Sequence, residues 1–300
     1  MSGKTISLAL SSGGARGLAH IGAIEELESR GYIIGAVSGS SIGAVAGGLF
    51  AAGKLQKYRD WMLTLGRKEV FSLLDISLVN PGLFKGERVF NEMEKVVGDC
   101  LIEECAIPFT AVATDLFTKR DIWFRKGSLF KALRASVAVP TILNPVMTEG
   151  NLLVDGGVGN PLPLDAIAGN KTDLIVAVNI NANVPYVCPP GQIEKKTGNN
   201  EYWKKLARYL PTMIVDQAVT APPKRVMPGV INLLNKSIDL MEDRLIELTL
   251  HKYHPDIVVN ISRDVCGIFD FYKGRDLIEA GRLACRTALD EYEKTLDPKS

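Results

Sequence analysis

One serine stands in a pattern typical of an acyl-transfer nucleophile. Residues 39–43 read GSSIG, a G-x-S-x-G motif centred on Ser41, between the predicted strand Ile34–Ser38 and a stretch rich in alanine and glycine. Such a strand–turn–helix passage pushes the serine Oγ out over the strand ends, and the helix N-terminus adds positive partial charge beside it. The motif therefore predicts a nucleophilic Ser41 between Gly39 and Gly43. A plain tight turn of small residues is the alternative.

A glycine-rich loop precedes this serine. Residues 12–17 read SGGARG and separate the predicted strand Thr5–Leu10 from the predicted helix Leu18–Arg30. Successive backbone N–H groups in such a loop form a concave donor site, which could hold the oxyanion of an acyl-transfer intermediate. A nucleotide site and a plain turn are the alternatives. A dinucleotide fingerprint requires glycine where Ser12 stands and an acid near the end of the next strand, and residues 36–38 (AVS) supply none. That interpretation is therefore excluded.

A third motif supplies a carboxylate. Asp155 follows the short apolar segment Leu152–Val154 and precedes Gly156 and Gly157. An aspartate can take the proton of a serine as a general base, and the paired glycines would turn the backbone away and leave the carboxylate facing a cleft. An Asx turn is the alternative, because Asp-Gly is common there.

A histidine base is the less favoured arrangement. The order Ser41, Asp155, then His251 or His254 mimics a serine hydrolase triad. However, Ser41 follows only the second predicted strand, whereas an α/β-hydrolase places its nucleophile after several more strands, and the two later histidines lie at a helix end. His20 is more typical of a packed or surface residue. The residues therefore favour a dyad of Ser41 and Asp155.

Two further polar residues have more than one interpretation. Asp115 ends the predicted strand Pro108–Thr114, where a structural turn is favoured over a place in the cleft. Arg16 could steer a phosphate headgroup or pair with a carboxylate, and the sequence does not choose between them.

Predicted strands and helices alternate along the chain, which indicates an α/β fold with a mostly parallel central sheet. The continuous apolar run Leu174–Ile180 is typical of a buried parallel strand. Residues 181–200, rich in Asn, Pro and Gly, form a loop-like break. We expect a core over residues 1–180 and a C-terminal extension over residues 181–300 that packs on the same domain. The further predicted elements are strands at 121–124 and 257–261, and helices at 128–135, 201–218, 230–250 and 273–296.

Composition narrows the functional class. The chain has 300 residues, 46% of them hydrophobic, and 35 Lys and Arg against 34 Asp and Glu give a net charge of +1. A chain-wide nucleic-acid-binding surface is thereby excluded, and the most apolar stretch, 42–53, is too short to span a membrane. The five cysteines form no CxxC pair and there are only three histidines. We expect free thiols in a reducing cytoplasm, with no metal and no cofactor.

Residues 201–227 form a segment rich in basic and aromatic residues, which could bind a membrane surface. An amphipathic helix of this kind can lie on anionic lipid, which would give a peripheral membrane contact. An ordinary packed helix with a solvated basic face is the favoured alternative. The basic residues are Lys204, Lys205, Arg208, Lys224 and Arg225, with Tyr202, Trp203 and Tyr209 among them.

Taken together, the three motifs resemble the signature of the patatin-like phospholipase family: a GGxRG oxyanion loop, a GxSxG motif and a DG[GA] motif, in that order. The segment Arg134–Ser136 with Pro140 also resembles the family's sequence before the DG motif. The resemblance covers about residues 5–180 and is weak beyond residue 181. The matching positions are Gly13, Gly14, Ala15, Arg16 and Gly17, then Gly39, Ser41 and Gly43, then Asp155, Gly156 and Gly157.

The resemblance implies a three-layer α/β/α fold and a lipid acyl hydrolase of the phospholipase A or lysophospholipase type. Ser41 would be the nucleophile, Asp155 the base, and the backbone N–H groups of residues 13–17 the oxyanion hole. The substrate would be a phospholipid or another acyl ester. A soluble esterase or thioesterase with the same dyad, and a regulatory protein that keeps the fold, are the alternatives.

Overall fold

The computed structural model describes residues 3–73, 75, 84–148, 150–186 and 230–296. Its strands are β1 (Thr5–Leu10), β2 (Ile33–Ser40), β3 (Phe109–Asp115), β4 (Arg120–Phe124), β5 (Val146–Thr148), β6 (Asn151–Asp155), β7 (Leu174–Ala182) and β8 (Ile257–Ser262). Its α-helices are α1 (Leu18–Ser29), α2 (Ile42–Ala51), α3 (Leu55–Thr64), α4 (Arg67–Ser72), α5 (Glu87–Val97), α6 (Leu129–Ser136), α7 (Val230–Tyr253) and α8 (Gly274–Leu296).

The strands form one mixed sheet in the order β5-β6-β3-β2-β1-β7-β8, and β4 also pairs with β3. The five strands from β3 to β8 in this order are parallel. The pairs β3–β4, β3–β6 and β5–β6 are antiparallel. The carboxyl ends of the parallel strands therefore share one edge, and β1 and β2 lead there directly into the two glycine-containing motifs.

Helices cover both faces of the sheet. Leu8 and Leu10 of β1 pack into a large core together with side chains of α1, α2 and α8. Ala9, which points to the opposite face, packs with a smaller cluster that includes Ile246 of α7. The prediction of an α/β fold with a mostly parallel sheet, built in three layers, is confirmed.

Most predicted elements are present with bounds shifted by one to three residues. Strand β2 is longer than predicted because it continues to Ser40. Helices α3, α4 and α5 and the strand β5 were not predicted. Strand β5, which pairs with β6, has three residues. Because it is so short, its sequence shows no alternating pattern of apolar and polar residues. The predicted helix at 201–218 lies outside the described residues.

The C-terminal strand β8 and helix α8 pack into the same core as β1 and α1. Strand β8 extends the sheet beside β7, and α8 packs along α1. At this contact the guanidinium of Arg286 donates from Nε and Nη2 to the two carboxylate oxygens of Glu26, each at 3.1 Å. Arg30 also pairs with the buried Glu26 carboxylate. Among the helices that the structure describes, none combines the length and apolar character needed to cross a bilayer.

Candidate active site

Ser41 lies on a sharp turn between β2 and α2. Its backbone has φ 56° and ψ −127°, a conformation that a residue with a side chain rarely adopts and that must be held by its surroundings. The turn needs the flanking glycines, because a Cβ on Gly39 would stand 2.4 Å from the Gly43 carbonyl and one on Gly43 would stand 2.3 Å from the Leu10 carbonyl oxygen. The local sequence thus folds into the sharp strand–turn–helix elbow that the motif predicts, with Ser41 at its apex.

The hydroxyl of Ser41 contacts one carboxylate directly. Ser41 Oγ donates to Asp155 Oδ2 at 2.5 Å, and both residues are buried. Asp155 ends β6, and its register opposite Ala113 of β3 brings it to the edge of the sheet where β2 ends. Ser41 and Asp155 lie 114 positions apart in the chain, and the structure brings them together.

The environment of Asp155 suits a base near neutral pH. Burial raises the pKa of its carboxyl to about 7, although the hydrogen bonds from Ser41 and from the Gly157 amide favour the anion. Its second oxygen, Oδ1, accepts from Gly157 N at 2.7 Å. The Asx turn considered as an alternative is therefore present, and it orients the same carboxylate that binds Ser41.

The glycine-rich loop follows β1 and forms a single turn of 3₁₀ helix over Gly14–Gly17. Several of its amides already have acceptors, since Ser12 N donates to Pro161 O and Ala15 N donates to Ile268 O. The 3₁₀ turn itself uses the amides of residues 16 and 17. Within the described ranges, the amides of Gly13 and Gly14 donate to no protein group. These two are the donors that remain for an oxyanion.

This loop packs against the start of α2. The position that a Cβ on Gly17 would take is occupied by the side chain of Ile42, the residue after Ser41. The carbonyl oxygens of Leu10 and Ser11 lie against Gly43. The Gly13–Gly14 donors are thus held on the same sheet edge as the elbow.

Arg16 acts on the loop itself. Its Nε donates to the Gly13 carbonyl oxygen at 3.0 Å. In a trans peptide the N–H points away from the preceding C=O, so this bond helps to fix the direction of the Gly14 N–H, together with the backbone bond of the 3₁₀ turn.

The histidines are placed elsewhere. His20 is fully buried, and its Nε2 makes a 2.9 Å hydrogen bond with the Ser11 carbonyl, where it acts as the donor. Burial lowers the pKa of His20 to about 4, so the ring is neutral. His251 and His254 are exposed at the end of α7. In the part of the chain that the structure describes, Ser41 and Asp155 have no hydrogen bond with a histidine.

Asp115 has the structural role that was favoured for it. Its buried carboxylate accepts from the amides of Phe117, Thr118 and Leu152 and from the Thr118 hydroxyl, at 2.6 to 3.2 Å. These bonds lower its pKa. They close the turn between β3 and β4 and tie it to the start of β6.

Two side chains at the site had no assigned role in the sequence. Ser136, at the end of α6, accepts from the Ser41 amide at 2.9 Å and donates to the Val112 carbonyl at 2.6 Å. Glu242, on α7, accepts from Ser12 Oγ at 3.1 Å. Ser136 lies in the segment that resembled the family, but nothing in the local sequence indicates either contact. Over the ranges described, no three His, Cys, Asp or Glu side chains converge as a metal site would require.

The sequence of this chain is similar to those of known proteins. The family model for patatin-like phospholipase matches residues 8–168. An uncharacterized NTE family protein of Mycobacterium bovis is 31% identical over 97% of this chain and 93% of its own length. Mouse patatin-like phospholipase domain-containing protein 6 is 31% identical over 61% of this chain and 14% of its own length.

The crystal structure of VipD from Legionella pneumophila superposes with a TM-score of 0.46 at 13% identity, over 97% of this chain and 67% of that one. The family match covers more than half of the chain and includes all three motifs. This chain belongs to the patatin-like phospholipase family, a family of lipid hydrolases.

Proposed function

We propose that this protein is a serine carboxylic ester hydrolase that releases fatty acid from phospholipid or related acyl esters through a dyad of Ser41 and Asp155. The observation that carries the proposal is the direct 2.5 Å hydrogen bond from Ser41 Oγ to Asp155 Oδ2. A hydroxyl on a strained elbow beside a buried carboxylate is the arrangement that an activated nucleophile needs.

The reaction proceeds in two halves. Ser41 Oγ attacks the acyl carbonyl while Asp155 takes its proton, and the amides of Gly13 and Gly14 bind the oxyanion that forms. The intermediate collapses, the bond to the alcohol breaks, and Asp155 returns the proton to the leaving oxygen. A water that gives its proton to Asp155 then attacks the acyl-enzyme. Ser41 leaves with that proton, and the fatty acid is released.

The test is fatty-acid release from mixed phospholipid vesicles by the wild-type protein, Ser41→Ala and Ser38→Ala. Ser38 is a matched control, since it is a buried serine near the end of β2 whose hydroxyl donates to the Pro163 carbonyl, away from the dyad. We expect Ser41→Ala to lose release by more than about 10³-fold and Ser38→Ala to keep it. Equal release by wild type and Ser41→Ala would overturn the proposal. Ser41-dependent cleavage of a monomeric ester without release from vesicles would identify a soluble esterase.

We further propose that α7 makes the peripheral contact with the lipid surface. Five apolar side chains of α7 are 49 to 66% exposed, and their seven-residue spacing places them on one face of the helix. They are Leu233, Leu234, Leu240, Met241 and Leu248. The exposed Lys236 lies on the same helix and suits an anionic surface.

Sedimentation with anionic phospholipid vesicles tests this contact. The double substitution Leu240→Gln and Leu248→Gln should reduce the bound fraction several-fold. Ile33→Gln is the control, because Ile33 is equally exposed but lies on β2, away from α7. Equal sedimentation of all three proteins would contradict the proposed lipid contact of α7. The basic segment over residues 201–227, for which a lipid contact was considered, lies outside the described residues.

A further inference from the structure

One carboxyl group enters the active site from α7. Oε2 of Glu242 accepts from the hydroxyl of Ser12 at the start of the glycine-rich loop. Its other oxygen, Oε1, stands 2.8 Å from the point where a Cβ on Gly157 would lie, and Asp155 Oδ1 stands 3.0 Å from the same point. The two carboxyl groups are therefore within about 6 Å of each other, a distance at which their charges interact strongly.

Contacts along α7 fix this placement. Near its N-terminal end Asn235 accepts from the Thr141 hydroxyl at 3.1 Å. Beside Glu242, Asp243 forms a 2.7 Å ion pair with Arg263, whose Nη2 also donates to the Asn181 carbonyl. These contacts hold α7 beside the glycine-rich loop, and Glu242 reaches Ser12 from this position.

The positively charged groups and hydrogen-bond donors around Glu242 do not fully compensate a negative charge on its carboxylate. Burial raises its pKa to about 8, and the nearby charges of Asp155 and Asp239 add to this effect. The hydrogen bond from Ser12 and the charge of Arg16 act in the opposite direction. Next to Glu242 on the helix, Asp243 pairs with Arg263, and near the end of the helix Lys252 lies close to Asp165.

The two carboxyl groups are not equivalent. Asp155 receives hydrogen bonds from Ser41 and from the Gly157 amide, whereas Glu242 receives one from Ser12. More donors favour the anion, so the first proton leaves mainly from Asp155. Near neutral pH the pair then holds one negative charge, on the base, and one proton, on Glu242.

We propose that Glu242 is a positioning residue of this active site, which acts as a neutral carboxylic acid against Ser12 and whose ionisation switches the site off. A second negative charge within about 6 Å of Asp155 opposes formation of the oxyanion at the Gly13–Gly14 amides. It also repels Asp155 and so loosens the contact that holds α7 on the loop. This inference rests on the proposed ester hydrolysis.

The experiment is the pH profile of kcat/KM on a monomeric acyl ester, from about pH 5 to about pH 10. Wild type, Glu242→Gln and Glu247→Gln are compared, the last as a control because Glu247 is exposed on the same helix and pairs with Arg244. We expect wild type and Glu247→Gln to rise through about pH 7 and to fall through about pH 8. Glu242→Gln keeps the rise and loses the fall, which makes it roughly 30-fold more active than wild type near pH 9.5.

A fall that persists in Glu242→Gln would overturn the inference and leave the function intact. So would a folded Glu242→Gln protein that is inactive at every pH, because glutamine is neutral and can still bind Ser12. Should this variant not fold, Asp239→Asn replaces it. Removing that exposed charge lowers the pKa of Glu242 and should move the falling limb to lower pH, and an unmoved limb would contradict the inference. Activity that survives Ser41→Ala would instead refute the proposed function.

Discussion

The backbone amide of Ser41 donates to the hydroxyl of Ser136, and that hydroxyl donates to the carbonyl of Val112. Ser136 thereby connects the elbow to the middle of β3 through a side chain that is completely buried. Among the described residues the N–H of Ser41 has no backbone acceptor. This one hydroxyl therefore satisfies both groups and holds the strained conformation in place.

Ser136→Ala should affect both stability and catalysis. It removes the acceptor of the buried Ser41 amide and one donor to the Val112 carbonyl, at a cost of about 2 kcal/mol in the free energy of unfolding. We also expect kcat to fall at least tenfold with little change in KM, since a misplaced Oγ attacks poorly. Denaturant unfolding and ester kinetics measure the two effects, with Ser38→Ala as the control. Unchanged kcat in Ser136→Ala would show that the elbow holds without this bond.

Asp155→Asn should abolish hydrolysis and should make the folded protein more stable than the wild type as pH rises. The folded protein raises the pKa of Asp155 from near 4 to about 7, so the folded state binds a proton that the unfolded chain has lost. The stability of the wild type therefore falls as pH rises from about 4 to about 7, and the asparagine variant escapes this loss. Its advantage should grow by on the order of 3 kcal/mol between pH 5 and pH 8.

Thermal unfolding of both proteins across this pH range measures the difference. The side-chain amide in Asp155→Asn can still accept from the Gly157 amide and donate to Ser41, so the fold should be retained. A difference in stability that does not change with pH would mean that the carboxyl titrates near its usual value. Hydrolysis should be lost in the variant at every pH.

Arg16→Gln should lower kcat by about 10- to 100-fold, because the Gly13 carbonyl loses a side-chain donor that helps to orient the Gly14 amide. The substrate is still bound in the ground state, so KM should change little. Steady-state kinetics on a monomeric ester separate the two constants. A rise in KM alone would instead assign Arg16 to substrate binding, which is the headgroup role considered from the sequence.

Gly43→Ala should prevent the elbow from closing. The new methyl group would meet the carbonyl oxygens of Leu10 and Ser11 at 2.3 and 2.6 Å, and backbone atoms cannot move aside as a flexible side chain can. We expect a loss of more than about 3 kcal/mol in the free energy of unfolding. Gly169→Ala is the control, since nothing lies within 4 Å of its Cβ position. Similar unfolding midpoints for the two variants would contradict this packing.

The sequence predicted those parts of the site that depend on residues adjacent in the chain. The GSSIG and DGG motifs each stand at the end of a strand, so the strand end fixes where Ser41 and Asp155 emerge. The mostly parallel character of the sheet also follows from alternating strands and helices. By contrast, Ser136 lies 95 positions from Ser41, and Glu242 lies 230 positions from Ser12. Such contacts depend on how helices pack, and no periodicity around either residue reveals them. The loss of Ala15 as a free donor has the same origin, because its acceptor is the distant Ile268.

That last bond has a consequence for the protein during translation. Ser41 and Asp155 leave the ribosome long before Ile268, whose carbonyl holds the amide of Ala15. The α1–α8 contact that buries Glu26 also needs residues beyond 280. A nascent chain can therefore contain Ser41 and Asp155 while the amide of Ala15 still lacks this acceptor. The Gly13–Gly14 amides that we propose as oxyanion donors would therefore reach their final arrangement only after Ile268 has been synthesised.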